Sequence, residues 1–268
     1  MQLNKIKQTL KKILPDPVSR KITGLFYGWH GDYPGWEEAK KRCSGYDSGT
    51  ILEKVSASAA KVRDGQAAFE RDSVLFDETQ YSYPVLSGLM WVAARNDGRL
   101  NIIDFGGSLG SSYYQNKKFL DTLQEVNWCV VEQPDFVSTG INSFATERLH
   151  FFNRIEDCLC KFPINAVLLS SVLPYIEKPY EILQTINEAG IKNIIIDRTF
   201  FIQGDDRLTI QKVHPLIYKA DYPCWFFNKS KFLDFFSSNY DLILEFDAMD
   251  KTNLHSESKG FIFTRKQH

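Results

Sequence analysis

With 268 residues, 43% hydrophobic and 14% aromatic, the chain holds enough apolar material for one large domain, or one domain with a helical subdomain, which excludes a disordered protein. Its 32 basic and 33 acidic side chains leave a formal net charge of -1, so no global basic field exists and nucleic acid is not an expected partner. The five cysteines (Cys43, Cys129, Cys158, Cys160, Cys224) show no CxxC pairing, and no apolar run reaches the roughly 18 residues needed to cross a bilayer, so a cytoplasmic protein with reduced thiols and no metal site is expected.

Residues 1–14 place Leu3, Ile6, Leu10, Ile13 and Leu14 on one helical stripe and Lys5, Lys7, Lys11 and Lys12 elsewhere, and Pro15 and Pro17 end the pattern. Two placements remain open for this basic amphipathic helix: docking on the body, or peripheral contact with an anionic membrane face. Residues 28–45, GWHGDYPGWEEAKKRCSG, predict an ordered aromatic loop with a helix beginning near Gly35. That loop either covers a site or seals a seam with Trp29, Tyr33 and Trp36. Helical patterns follow over 48–64 and 78–96, the second with Leu86, Leu89, Met90 and Ala93 on one face, so residues 1–98 read as a helical subdomain.

After Gly98 the texture changes. Apolar runs LNIIDF, VNWCVVE, LHFF, NAVLLSS, NIIIDR, DLILEF and FIFTR alternate with helical segments, which predicts an α/β fold over 99–268: a doubly wound, mostly parallel sheet. The last two runs are close enough in sequence to form an antiparallel pair at the sheet edge. Ligands of such sheets bind beyond the carboxyl ends of the strands, where the chain order reverses, so Asp104, Glu132, Ser170, Ser171 and Asp197 are the strand-end residues to read for chemistry. Cys158 and Cys160, two apart on a predicted helix, do not face one another.

The sharpest signal is NIIDFGGSLG, residues 101–110: a short apolar strand that ends in Asp104 and breaks into a turn with Gly106, Gly107 and Gly110. Glycines there bring backbone close to a ligand, and a helix starting near Ser111 aims its first amides at it. Such a turn with an acid below it suits a ligand carrying polar oxygens and a positive charge.

Strand-end Asp104 followed by these glycines resembles motif I of class I S-adenosylmethionine-dependent methyltransferases, where the acid lies near the methionine portion of the donor. A second acid, Glu132 in CVVEQP, lies 22 residues beyond Gly110, the spacing expected of a carboxylate that takes ribose hydroxyls. Gln133 follows it. The stretch LLSSVLPYIEKPYEIL resembles the fourth-strand motif of that superfamily, which implies that Ser170, Ser171 and Tyr175 flank the transferable methyl. Many relatives have Asp or Asn in the first position, where this chain has Ser. More narrowly, GDYPGWEEA, ERDSVLFDETQYSYP, DFGGSLGSSYYQNKKFL, VEQPDF, SSVLPYIEKPY, IIDRTFF, DRLTIQ and YPCWFF resemble a bacterial methyltransferase family encoded with polysaccharide biosynthesis genes. The resemblance runs from about residue 26 to the end. It implies a seven-stranded Rossmann-like sheet closed by an antiparallel hairpin, S-adenosyl-L-methionine as cofactor, and a small-molecule or glycan acceptor methylated on oxygen.

For the base that assists transfer the residues leave several candidates. His214 has a side chain that titrates near neutrality and lies in the predicted insertion between the fifth and sixth strands, yet a lone His before Pro also suits a structural role. Asp197 and Arg198 end the fifth predicted strand; either they serve the acceptor or they tie sheet to loop. His30 with Asp32, and Asp77 with Glu78, are candidates for a lid. Tyr218, Tyr222, Trp225, Phe226 and Phe227 offer flat surfaces for a sugar ring or, equally, ordinary core. Two other functions compete: a nicotinamide-dependent oxidoreductase, disfavoured by the absence of GxGxxG, and a catalytically silent module that holds cofactor or partner.

Overall fold

The structure, a computed structural model, describes residues 27–43, 48–71, 73–214 and 220–267. In chain order the elements are β1 (Gly28–Tyr33), α1 (Trp36–Lys41), α2 (Ser48–Arg63), β2 (Phe69–Arg71), β3 (Val74–Phe76), α3 (Tyr83–Ala94), β4 (Arg99–Phe105), α4 (Ser111–Leu120) and β5 (Glu125–Val131). There follow α5 (Pro134–Ser143), β6 (Leu149–Phe152), α6 (Ile155–Lys161), β7 (Ala166–Ser170), a 3-10 turn (Leu173–Tyr175), α7 (Pro179–Glu188), β8 (Asn193–Ile202), β9 (Arg207–Lys212) and β10 (Asp221–Asn228). Helix α8 (Lys229–Ser237), β11 (Tyr240–Asp247) and β12 (Glu257–Arg265) complete the chain.

Strands β4 to β8 are continuous apolar runs because both of their faces are covered. Alternation along β4 shows it: Ile102 joins a core with helices α2 to α5, while Ile103 joins the opposite core with α6 to α8. The sheet order is β6-β5-β4-β7-β8-β12-β11, with β12 the reversed strand between β8 and β11. That is a doubly wound Rossmann-like sheet with the expected terminal hairpin, and its seven strands match the seven apolar runs of the sequence.

At their amino ends four strands are tied by asparagines. Asn165 donates to the Arg99 carbonyl at 3.1 Å and accepts from the Asn101 amide at 3.2 Å, while Asn127 donates to the Asn101 side chain and Asn193 to the Asn165 carbonyl, each at 2.8 Å. These bonds satisfy polar groups at the end of the sheet remote from the glycine turn.

Four expectations need correction. Residues 28–33 form a strand rather than a loop, because Trp29, His30 and Tyr33 pair antiparallel with β9. The region before Gly98 is not all helical, since Phe69–Arg71 and Val74–Phe76 make a hairpin. Helix α3 begins only at Tyr83, with Pro84 in its first turn, where a missing N–H costs nothing. Finally, the stretch between the fifth and sixth core strands adds β9 and β10. With β1 they make an antiparallel sheet joined in parallel to the far end of β8 at Phe227 beside Phe201 and Asn228 beside Ile202. The sheet therefore has ten strands rather than seven. Residues 1–14 and Tyr218 lie outside the described residues.

Candidate functional site

β4 lies between β5 and β7, so the chain order reverses at its carboxyl end, and a crevice opens there in sheets of this type. The Gly106 amide donates to the Val131 carbonyl at 2.9 Å, holding the tips of β4 and β5 together. Gly106 and Gly110 have φ of +71° and +91°, and Gly110 is the residue from which α4 starts. A Cβ on Gly107 would stand 2.5 Å from the Asp104 carboxyl, and one on Gly106 would collide with Val172, so only glycine fits at either place.

Asp104 is 1% exposed, roofed by Gly107, and accepts from Trp128 Nε1 at 3.0 Å. Burial pushes its carboxyl up to about 7; the Trp128 bond opposes this and the neighbouring Glu132 charge adds to it. Glu132 bends back over the turn: one oxygen accepts from the Ser108 amide at 3.2 Å and the other from the Gln133 amide at 2.8 Å. Burial also raises the Glu132 carboxyl, against those two bonds. Each oxygen keeps acceptor capacity for a further donor, as a ribose diol requires. The Gln133 side chain is exposed and contributes backbone only. Behind α5 a groove of about 280 Å³ is lined by Pro134, Val137, Ser138, Ile141, Asn142 and Asn153.

On the other side of β4, Ser170 pairs in register with Asp197 and its hydroxyl donates to the Asp197 carboxylate at 3.3 Å. The Ser171 amide donates to the Asp197 carbonyl at 3.0 Å, with Ser171 and Arg198 both at φ of +56°, a conformation that costs non-glycine residues energy. Burial lifts the Asp197 carboxyl to about 6, helped by Asp250 and opposed by Arg198, Ser170 and the Arg198 amide. Arg198 donates to Asp250 at 2.6 Å, so this arginine ties β8 to the β11–β12 loop.

Tyr175 follows on the 3-10 turn. Its hydroxyl donates to Gln211 of β9 at 2.7 Å and its ring meets Tyr222 of β10 edge-on at 5.3 Å. Trp29, Gln211 and Tyr222 stand in one row across β1, β9 and β10. Trp29 donates from Nε1 to the Cys224 sulfur at 3.2 Å and packs edge-on against Phe200. The added sheet thus turns one face to the strand tips, and its other face is covered by α1 through Ala39 against Leu208 and Ile210.

The remaining sequence candidates distribute as follows. His214 stands two residues past β9 with its ring 4.6 Å from that of Tyr27. His30 has a buried Nε2 without a hydrogen-bond partner among the described residues, while Asp32 is exposed and 4.0 Å from Arg207. Asp77 and Glu78 are exposed just after β3. Phe226 and Phe227 are core, 0% and 1% exposed, and Trp225 stacks on Trp36 across the α1 face, so of the aromatic candidates in β10 Tyr222 stands beside Tyr175. The sequence reading missed Trp128, Gln211 and Asp250. Only for Trp128 was there a signal, since the parallel register that sets Asp104 beside Val130 puts Trp128 on the same face.

No protein-family model matches this chain. No curated protein matches it. Among solved structures, the N-terminal domain of EvdMO1 in the presence of SAH and D-fucose is 12% identical with a TM-score of 0.47, over 83% of this chain and 98% of that one. Magnesium protoporphyrin IX methyltransferase (ChlM) from Synechocystis PCC 6803 with bound SAM is 10% identical with a TM-score of 0.46, over 83% and 99%. The glycopeptide N-methyltransferase MtfA complexed with S-adenosyl-L-methionine is 9% identical with a TM-score of 0.44, over 67% and 93%.

Proposed function

We propose that this chain is an S-adenosyl-L-methionine-dependent methyltransferase that methylates an oxygen of a sugar or glycan precursor in surface polysaccharide assembly. One observation carries the reading: two carboxylates, Asp104 and Glu132, bracket a single glycine turn at the switch point of a sheet whose last strand is reversed. The turn fits the donor. Gly106 and Gly107 allow the tight turn over Val172 and Asp104 that a side chain would break, and Glu132 keeps acceptor capacity for a diol. The reversed β12 between β8 and β11 also disfavours a nicotinamide enzyme, whose doubly wound sheet runs in the order 3-2-1-4-5-6.

When bound, the donor supplies an electrophilic methyl carbon on a sulfonium. Displacement at that carbon asks the protein mainly for alignment, an effect worth up to about 7–11 kcal/mol. The Ser170–Ser171 turn forms the wall beside the methyl, and Tyr175, fixed by Gln211 and edge-on to Tyr222, faces the acceptor ring. Asp197 is the base of this reading: it receives the Ser170 hydroxyl, and burial raises it to about 6, nearer to neutrality than an ordinary aspartate. His214 packs against Tyr27 and takes second place.

Calorimetry with S-adenosylmethionine, S-adenosylhomocysteine and NADH tests the donor. Binding of the first two is expected, and NADH binding alone would end the reading. A gain of one CH₂ on a candidate glycan incubated with protein and donor tests the transfer and separates an enzyme from a silent module. For Asp197 the rate should rise as pH passes about 6, and Asp197→Asn should abolish that limb.

A further inference from the structure

Strand β11 is an edge of the sheet: among the described residues it pairs with β12 alone. Leu242, Ile243 and Leu244 along it are 44%, 47% and 40% exposed, and Met249 just after it is 47% exposed. Leu242 stands opposite Phe263 and Leu244 opposite Ile262, while Ile243 is the extra residue of a bulge, so the three side chains surround the edge instead of lining one face. An apolar edge of this kind is a liability that folded proteins cover with a helix or loop.

The charges around the patch select its cover. From Tyr240 to Asp250 the chain carries Asp241, Glu245, Asp247 and Asp250 and no lysine or arginine. Asp250 is taken by Arg198, and Glu245 and Asp247 share Lys259. Asp241 is exposed, and the Asp247 side chain stays 86% exposed despite its lysine. Antiparallel pairing with a second copy centred on Ile243 would set Asp241 against Glu245, and the same acids repel an anionic membrane. A basic amphipathic helix has the matching chemistry. Residues 1–14 have that pattern, with Leu3, Ile6, Leu10, Ile13 and Leu14 on one stripe and Lys5, Lys7, Lys11 and Lys12 elsewhere. They lie outside the described residues, which begin at Tyr27, beside this very hairpin. Asn253 of the β11–β12 loop accepts from the Trp29 amide at 2.8 Å and donates to the Trp29 carbonyl at 3.0 Å. Residues 15–26 reach at most about 40 Å. A helix over residues 1–14 is about 21 Å long, against about 27 Å for β11. We infer that residues 1–14 dock as a helix along β11, with their apolar stripe on Leu242, Ile243 and Leu244 and their lysines toward Asp241 and Asp247. The amino-terminal segment thereby caps the open edge of the sheet, whatever the donor.

The test is carbodiimide cross-linking of the full chain, mixed in equal parts with its isotope-labelled form, followed by peptide mass spectrometry. The reagent joins a lysine to a carboxylate in direct contact, and the Lys259–Asp247 pair at 2.7 Å is the internal control. Links are expected from Lys5, Lys7, Lys11 or Lys12 to Asp241, Glu245 or Asp247, each within one isotopic form. Leu244→Asp and Leu10→Asp should each lower their yield about tenfold, the factor expected for losing one buried leucine, with the circular dichroism of the fold retained. Leu75→Asp, at an exposed position of β3, should leave the yield within about twofold. Links between isotopic forms would give the patch to a second copy and overturn the inference. Control links with none from the four lysines to β11, or a yield indifferent to both leucines, would overturn it as well. Flotation with vesicles of anionic phospholipid in the absence of those links would give residues 1–14 to a membrane instead.

Discussion

Gly107 owes its identity to one neighbour. A methyl there would stand 2.5 Å from the Asp104 carboxyl, which is fixed by Trp128 and has no room to retreat. Gly107→Ala is therefore expected to cost about 1–3 kcal/mol of stability, the usual price of overpacking, and to abolish S-adenosylhomocysteine binding, read by thermal melting and calorimetry. Asp104 itself makes the site sensitive to pH. With its carboxyl raised to about 7, a cationic donor held over the turn favours the ionised form, so binding below pH 7 releases a proton. Affinity for S-adenosylmethionine should rise between pH 6 and 8, and Asp104→Asn should flatten that rise, both measured by calorimetry. Asp104, Glu132, Ser170 and Asp197 were legible because a strand end preceding a turn is a local pattern. The burial of Asp104 was not, since it depends on a tryptophan from the neighbouring strand.

Among the elements, the added β1-β9-β10 sheet stands beside the 3-10 turn that follows β7, through Gln211 and Tyr222 against Tyr175. It is tied to that turn by Tyr175, whose hydroxyl donates to Gln211 at 2.7 Å. Tyr175→Phe should lose about 0.5–1.5 kcal/mol of stability while raising KM for the acceptor more than it lowers affinity for the donor, a split read by steady-state kinetics against calorimetry. The core strands were readable as apolar runs between helical stretches; in β4, β7 and β8, buried on both faces, no alternation confuses the pattern, while β11 keeps its apolar run although most of it is exposed. β1 was not readable: GWHGDY lacks an apolar run, and it becomes a strand only because β9 supplies partners 175 or more residues away, the nearest being Tyr33 with Leu208 (208 − 33 = 175). The β2–β3 hairpin escaped for a related reason, as three-residue strands carry no period of their own. In YPCWFF the strand residues were visible, and their density left a ligand platform and ordinary core equally open; Phe226 and Phe227 are core, in two different clusters.

At the scale of the whole molecule, two buried aspartates are ionised at a cost to the fold. Asp104 and Asp197 have carboxyls raised from the model-compound value of 3.8 to about 7 and about 6, so each favours folding in its neutral form. Their contribution is fully present below about pH 4 and is lost as pH rises through 6 and 7. The melting temperature of donor-free protein should fall over that interval, and Asp104→Asn should match wild type near pH 4 but exceed it near pH 8, which scanning calorimetry measures. Such a penalty suits a binding site, where rigidity and solvation give way to a charge awaiting its counterpart.

The seam between β10 and β8 is only two residue pairs long, Phe227 with Phe201 and Asn228 with Ile202. Asp104 and Glu132, which hold the donor in the proposed reading, lie at the ends of β4 and β5, away from that seam. Under the proposed function, a different excursion of chain between Ile202 and Lys229 would therefore refit the molecule to another acceptor while the donor half kept its geometry, much as one handle takes interchangeable blades.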